Sequence, residues 1–366
     1  MLFLGFFTVL LFLSFIFPKS KKITIVILCY ISLIFSFGQY KGDFVVYRWV
    51  YQEFSSGIAY TSYEPGYVAL LWIATKLRIP FVVFRLACAT FICSSLYGVV
   101  KRQTVYTAIA VALYSLFPFF IYTAIFRTGI ASAFVVLAIE KMAENKKKCF
   151  IFFIILAALF HYSSLVFLLL LMLRKGTKNK QILAVFVMGM VLSVLINYSS
   201  VAYDIIARFT SSAKVLQWFK RNNSSANFNG ILAEILLLLM LYYLSYRSLK
   251  KRGIQFINWG DEYNNSYGLE VLTYKLSLFM FLILPLMIYA SPFMRIPYMV
   301  LIFFIIVSLN NKEIVNDNVN CLNNIGVVPS GWFFLLFVVI AWKVYYDLPY
   351  LKEGTSVFWE YLEVTF

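Results

Sequence analysis

Two arginines and one histidine interrupt apolar stretches in which charge is costly. Arg127 lies in FPFFIYTAIFRTGIASAFVV and Arg295 in IYASPFMRIPYMVLIF. An arginine at membrane depth costs about 2.5–3.5 kcal/mol on insertion scales, so it should face a cavity or an anionic partner. Both lie near expected helix ends, and snorkelling to the interface is the blander alternative. Guanidinium forks match phosphate oxygens, which makes a lipid-linked phosphate the natural ligand of the two. His161, the one histidine of the chain, stands in FHYSS. Imidazole titrates near neutrality and can act as a general base or donate to a phosphate; a helix-breaking, hydrogen-bonding role is the competing reading. One histidine with few carboxylates makes no metal site, and neither a P-loop nor a GxGxxG motif is present.

The stretch 39–65 adds Asp43, Glu53 and Glu64 among tyrosines and a tryptophan. Asp43, Tyr47 and Tyr51 recur at four-residue intervals, so a helix would put them on one face. Aromatics beside carboxylates suit sugar recognition, because a ring stacks on the apolar face of a pyranose; an interfacial aromatic belt is the alternative. Asp43 and Glu64 are also alternatives to His161 as the base. Glu64-Pro65-Gly66 opens a short helix over 66–78, with Glu64 near its positive end. A second polar stretch, 198–229, carries Asp204, Arg208, Lys214, Lys220 and Arg221, as an acceptor-binding loop or a lid.

The elements that must position these residues are apolar segments at about 2–17, 23–38, 80–100, 104–124, 128–141, 149–173, 182–197, 230–246, 269–290, 296–309 and 330–346. Each approaches the roughly 20 residues needed to span a bilayer. Basic clusters beside them set orientation: Lys19/Lys21/Lys22, Lys101/Arg102, Lys141/Lys146/Lys147/Lys148, Arg174/Lys175/Lys178/Lys180 and Arg247/Lys250/Lys251/Arg252. All five face the cytoplasm if the N-terminus is outside and 149–173 is split at Phe160-His161-Tyr162. The expected fold is therefore an all-α, polytopic membrane bundle in one domain, with about 11–12 transmembrane segments and one re-entrant or interfacial helix at 66–78. On that map 39–65, Arg127, His161, 198–229 and Arg295 all emerge on the non-cytoplasmic face.

Composition supports the class. Of 366 residues, 62% are hydrophobic and 13% charged, and mean hydropathy is +0.82, against about 25% charged in a globular domain. A net charge of +16 raises the question of a nucleic-acid partner, but the basic residues form short clusters between apolar runs and not one polar face, so none is expected. The five cysteines (Cys29, Cys88, Cys93, Cys149, Cys321) have no paired spacing and read as small packing residues. The first segment lacks a basic n-region and a cleavage site, and reads as a retained helix.

Taken in order, Asp43…Tyr47…Tyr51, Glu64-Pro65-Gly66, Arg127-x-Gly-Ile-Ala, Phe160-His161-Tyr162-Ser163-Ser164, Arg295 and Pro349-Tyr350 resemble the EpsG-like branch of the Wzy-type polysaccharide polymerases. The resemblance spans nearly the whole chain. It implies a GT-C-like glycosyltransferase of the bacterial inner membrane, without cofactor, that extends O-antigen or capsular glycans at the periplasmic face. Donor and acceptor would be undecaprenyl-pyrophosphate-linked repeat units, and the partner a Wzz-type chain-length regulator. Under this reading Arg127 and Arg295 hold the departing pyrophosphate, His161, Asp43 or Glu64 takes the acceptor proton, and Tyr47 and Tyr51 contact glycan. An O-antigen ligase, a lipid-linked oligosaccharide flippase and a membrane acyltransferase are the other classes weighed. A transporter should show repeated interrupted helices, and only the break at His161 is visible.

Overall fold

A computed structural model describes residues 2–37, 43–58, 63–116, 122, 125–174, 187, 228–251, 268–289, 293 and 295–310. The expected segment 330–346 and Pro349-Tyr350 lie outside the described residues, as do the expected segment 182–197 apart from residue 187 and the loop 198–229 apart from 228–229. So does the side chain of Asp43. Among the described residues every regular element is helical. By length and composition alone, one of the described helices, Phe81–Gln103, is long and apolar enough to cross a membrane.

The chain divides into two compact units, Met1–Leu165 with Tyr298–Phe366, and Val166–Pro297. The first contains α1 (Leu2–Ile16), α2 (Lys21–Phe37), α3 (Asp43–Ser55), α4 (Pro65–Lys76), α5 (Phe81–Gln103), α6 (Thr107–Tyr114), α7 (Phe126–Ala143) and α8 (Lys147–Ala158). A 3-10 helix, Tyr162–Arg174, follows α8. The second unit has α9 (Phe228–Lys251) packed on α10 (Gly268–Tyr289), with Phe167 against Phe279 and Ser245 Oγ donating to Ser277 Oγ at 3.2 Å. Helix α11 (Ile296–Asn310) begins at the boundary and ends in the first unit.

Side-chain contacts give the first unit two chemically distinct ends. At one, Arg102 from the last turn of α5 donates to both Glu140 oxygens, at 2.8 and 2.6 Å. Asn310 Nδ2 donates to the Gln103 carbonyl at 2.7 Å, Lys19 lies over the Tyr106 ring, and Ala108 N donates to the Pro18 carbonyl at 3.0 Å. A tight turn with Asn145 at φ 65° returns α7 into α8; asparagine tolerates that left-handed conformation. Three of the five basic clusters, those at 19–22, 101–102 and 141–148, thus share one end. The other end is about 35 Å away along the 23 residues of α5, at 1.5 Å rise per residue. There lie the starts of α4, α5 and α7 and the end of α8.

Candidate functional site

The second end is assembled by two helix termini that satisfy each other. Leu159 closes α8, and its carbonyl is one of those a helix end leaves without an intrahelical partner. Pro65 occupies the first position of α4, where a missing N–H costs nothing. The next donor, Gly66 N, reaches the Leu159 carbonyl at 2.8 Å. Only glycine permits this: a Cβ on Gly66 would stand 2.8 Å from both Leu159 Cβ and its carbonyl oxygen. The positive end of α4 so meets the negative end of α8, a favourable dipole arrangement. The residues flanking this joint are Glu64 and His161.

Arg127 arrives from α7. Its Nη1 donates to Glu64 Oε2 and its Nε to the Tyr47 hydroxyl at 3.1 Å. The guanidinium also lies 4.7, 5.5 and 5.8 Å from the ring centres of Tyr63, Tyr47 and Tyr67, within cation–π range. Among the described residues, Nη2 of Arg127 makes no hydrogen bond. Phe126, the preceding residue, is the hub beneath: Tyr47, Tyr67, Phe84 and Phe35 all meet its ring edge-on. A second motif glycine, Gly129, permits the approach of Tyr122, whose Cβ would lie 2.9 Å from an added Cβ. Arg127 is therefore not a snorkelling residue. Its side chain is 16% exposed and its anionic partner is internal.

Glu64 faces a guanidinium and an imidazole at once. Oε2 takes Arg127, and Oε1 lies 3.9 Å from His161 Nδ1. Burial by itself would raise this carboxyl, but His161 and Arg127 outweigh it and hold Glu64 below the usual carboxylate range. His161 is itself buried, its amide bonded to the Ala157 carbonyl at 2.9 Å where α8 gives way to the 3-10 helix. The break falls where the polar run FHYSS places it.

Of the residues singled out from the sequence, Tyr47, Glu64, Arg127 and His161 come together here. Asp43 is the first residue of α3. Arg295 is a partly buried residue just before α11, in the second unit. Tyr47 and Tyr51 do share a face of α3, but both are buried and neither ring offers the open face that sugar stacking requires. Tyr51 packs on Phe81 and Phe84 and donates its hydroxyl to the Ile79 carbonyl. Tyr47 holds Arg127. Sequence reasoning missed Tyr63 and Tyr67, whose signal was their placement around Glu64-Pro65-Gly66. Tyr67 is fully buried, and its hydroxyl finds no hydrogen-bond partner among the described residues. It also missed Arg85, a lone cation in FVVFRLACATF, which is fully buried against Phe35 and Phe81 with Nη1 3.5 Å from the Ser36 carbonyl. Among the described residues no group of three metal-ligating side chains forms. A groove of about 360 Å³ between α2 and α5 is lined by Leu28, Ser32, Leu86, Cys93 and Tyr97 among others, without a charged residue.

A family model settles the kinship: that of the EpsG family matches residues 22–352. The chain belongs to the EpsG family. The match covers every described member of the cluster, and it makes this a membrane protein of polysaccharide-polymerase type. No curated protein and no solved structure matches the chain. Within the EpsG family chain, then, the Glu64–Arg127–His161 cluster is the candidate active site. Three of the motifs that carry the resemblance, Glu64-Pro65-Gly66, Arg127-x-Gly and Phe160-His161, meet around the α4–α8 joint.

Proposed function

We propose that this protein is a multi-pass glycosyltransferase of the bacterial inner membrane. It transfers a growing glycan from an undecaprenyl-pyrophosphate donor onto the next lipid-linked repeat unit at the periplasmic face. The observation that carries the reading is the caged Arg127 beside Glu64 and His161, at the end of the first unit opposite its basic clusters. Basic clusters mark the cytoplasmic side, so the cage belongs to the outer one. Departure of a pyrophosphate is the main demand of the reaction, and a preorganised guanidinium in a dry aromatic setting stabilises the developing charge. His161 takes the acceptor hydroxyl proton. Arg295 is assigned to the same task of holding phosphate, on the strength of the resemblance. A Wzz-type chain-length regulator is the expected protein partner.

The decisive experiment is extension of a defined undecaprenyl-pyrophosphate-linked repeat unit by the purified protein, with and without chelator. Polymer should form in both. In cells lacking the protein, glycan should stop at one repeat unit. Accumulation of lipid-linked units confined to the cytoplasmic leaflet would instead favour a flippase and defeat the polymerase reading.

A further inference from the structure

In the cluster one carboxylate oxygen faces a guanidinium and the other an imidazole, and that pairing divides labour among residues that the sequence leaves interchangeable. Glu64 gives Oε2 to Arg127 and turns Oε1 to His161 Nδ1. An imidazole whose Nδ1 faces a carboxylate presents Nε2 from the opposite side of the ring, because the two nitrogens point apart. We propose that Glu64 is a positioning residue, joining the phosphate-holding Arg127 to His161 and fixing Nε2 as the nitrogen that receives the acceptor's proton. The assignment rests on the proposed transferase reading for what His161 does, and on geometry alone for the pairing.

Two features argue against Glu64 as the base itself. Its carboxylate already accepts from a guanidinium, and a carboxyl held below its ordinary range by Arg127 and His161 is a weak proton acceptor. A carboxylate behind an imidazole, in contrast, fixes the tautomer and stabilises the imidazolium that forms. The acceptor hydroxyl gives its proton to Nε2 as its oxygen bonds to the donor's anomeric carbon, and the bond from that carbon to the pyrophosphate oxygen breaks. The electron pair leaves with the pyrophosphate, whose charge Arg127 meets, and His161 later returns the proton to solvent. Among the described residues, the other ionisable groups at this end of the unit include the phenols of Tyr47, Tyr51, Tyr63 and Tyr67, the thiol of Cys88 and the guanidinium of Arg85 on α5.

A chain with one histidine permits a direct test. Full-length protein labelled with 15N-histidine and held in detergent gives a single imidazole, whose tautomer and titration can be followed by NMR without any glycan. The expected wild-type neutral form carries its proton on Nδ1. Glu64→Gln should lower the imidazole pKa by about one unit and erase the tautomer preference, while Arg127→Gln, removing the competing cation, should raise it. A wild-type neutral form protonated on Nε2 would overturn the proposal even if neither variant folds. Equally damaging would be Glu64→Gln with an unchanged titration, or Arg127→Gln with a lowered one. These readouts need no substrate, so failure to polymerise a lipid-linked unit would count against the proposed function and leave the pairing intact.

Discussion

The two ends of the first unit each hold one arginine–glutamate pair, and the chemistry around the pairs separates a staple from a site. At the basic end Arg102 grips Glu140 with two parallel bonds, and its side chain is 45% exposed while the carboxylate is fully buried. Gln103 Nε2 and Lys141 stand at 3.4 and 3.8 Å from the same carboxylate. The geometry saturates Glu140 and ties the last turn of α5 to that of α7. At the other end Arg127 spends one bond on Glu64, is wrapped by three tyrosines, and shares its partner with the only histidine. A closed fork ties two helices together. An open one beside a titratable group can exchange its partner for a ligand.

The largest contrast should come from truncating the two arginines. Arg127→Ala is expected to lower polymer formation by at least about a hundredfold, the scale for losing one preorganised donor to a developing oxyanion, with the protein still inserted and folded. Arg102→Ala should leave the folded fraction active and lower stability by about 1–3 kcal/mol. It strands a buried carboxylate, but the exposed guanidinium contributed only a screened interaction. Polymer assays and thermal unfolding in detergent on both variants decide the matter; equal losses of activity would erase the distinction drawn between the ends. His161→Ala should resemble Arg127→Ala in activity.

Acid should separate the ends next. Glu64 has a depressed carboxyl in the folded protein, so its contribution to stability is fully present above the ordinary glutamate pKa of about 4.3. It is lost as pH falls from there through the lower folded value. Unfolding measured between about pH 5 and pH 3 should show wild type losing stability and Glu64→Gln losing less of it. A variant that tracks wild type across this window would mean that the Arg127 and His161 contacts do not stabilise the ionised form.

What was legible in the sequence follows from the price of charge in an apolar setting. Arg127 and His161 announced themselves as polar groups that hydrophobic flanks make expensive, and three of the five basic clusters, those at 19–22, 101–102 and 141–148, do share an end. The break after α8 was visible in FHYSS. The partnership at the centre was not visible, because Glu64 and Arg127 are 63 residues apart and are brought together only by folding. Its faint trace was the glycine after Glu64-Pro65, which reads as a turn until the neighbour it must clear is known. The periodicity of α3 predicted a common face for Tyr47 and Tyr51 but not its direction; packing against Phe126, Phe81 and Phe84 turned it inward. Arg85 and Glu140 stayed hidden because each is a single charge inside or beside a run that otherwise reads as spanning helix.

The glycines offer the finest test of the comparison. Gly66→Ala places a methyl 2.8 Å from the backbone of Leu159, where nothing flexible can yield, so α4 and α8 must separate and Glu64 must shift relative to His161. Misplacement on the scale of an ångström costs on the order of a hundredfold in a positioned reaction, and a loss of polymer by about tenfold or more is expected. Gly98→Ala sits inside α5 toward the basic end, and its methyl would meet only the flexible tip of Arg102, at 3.5 Å. That is ordinary contact. Alanine in a helix interior is favoured over glycine by roughly 0.5–1 kcal/mol, so this variant should unfold slightly later than wild type and polymerise at an unchanged rate. A Gly98→Ala protein that lost activity while gaining stability would show that the staple end communicates with the site, and the two ends could no longer be treated as separate devices.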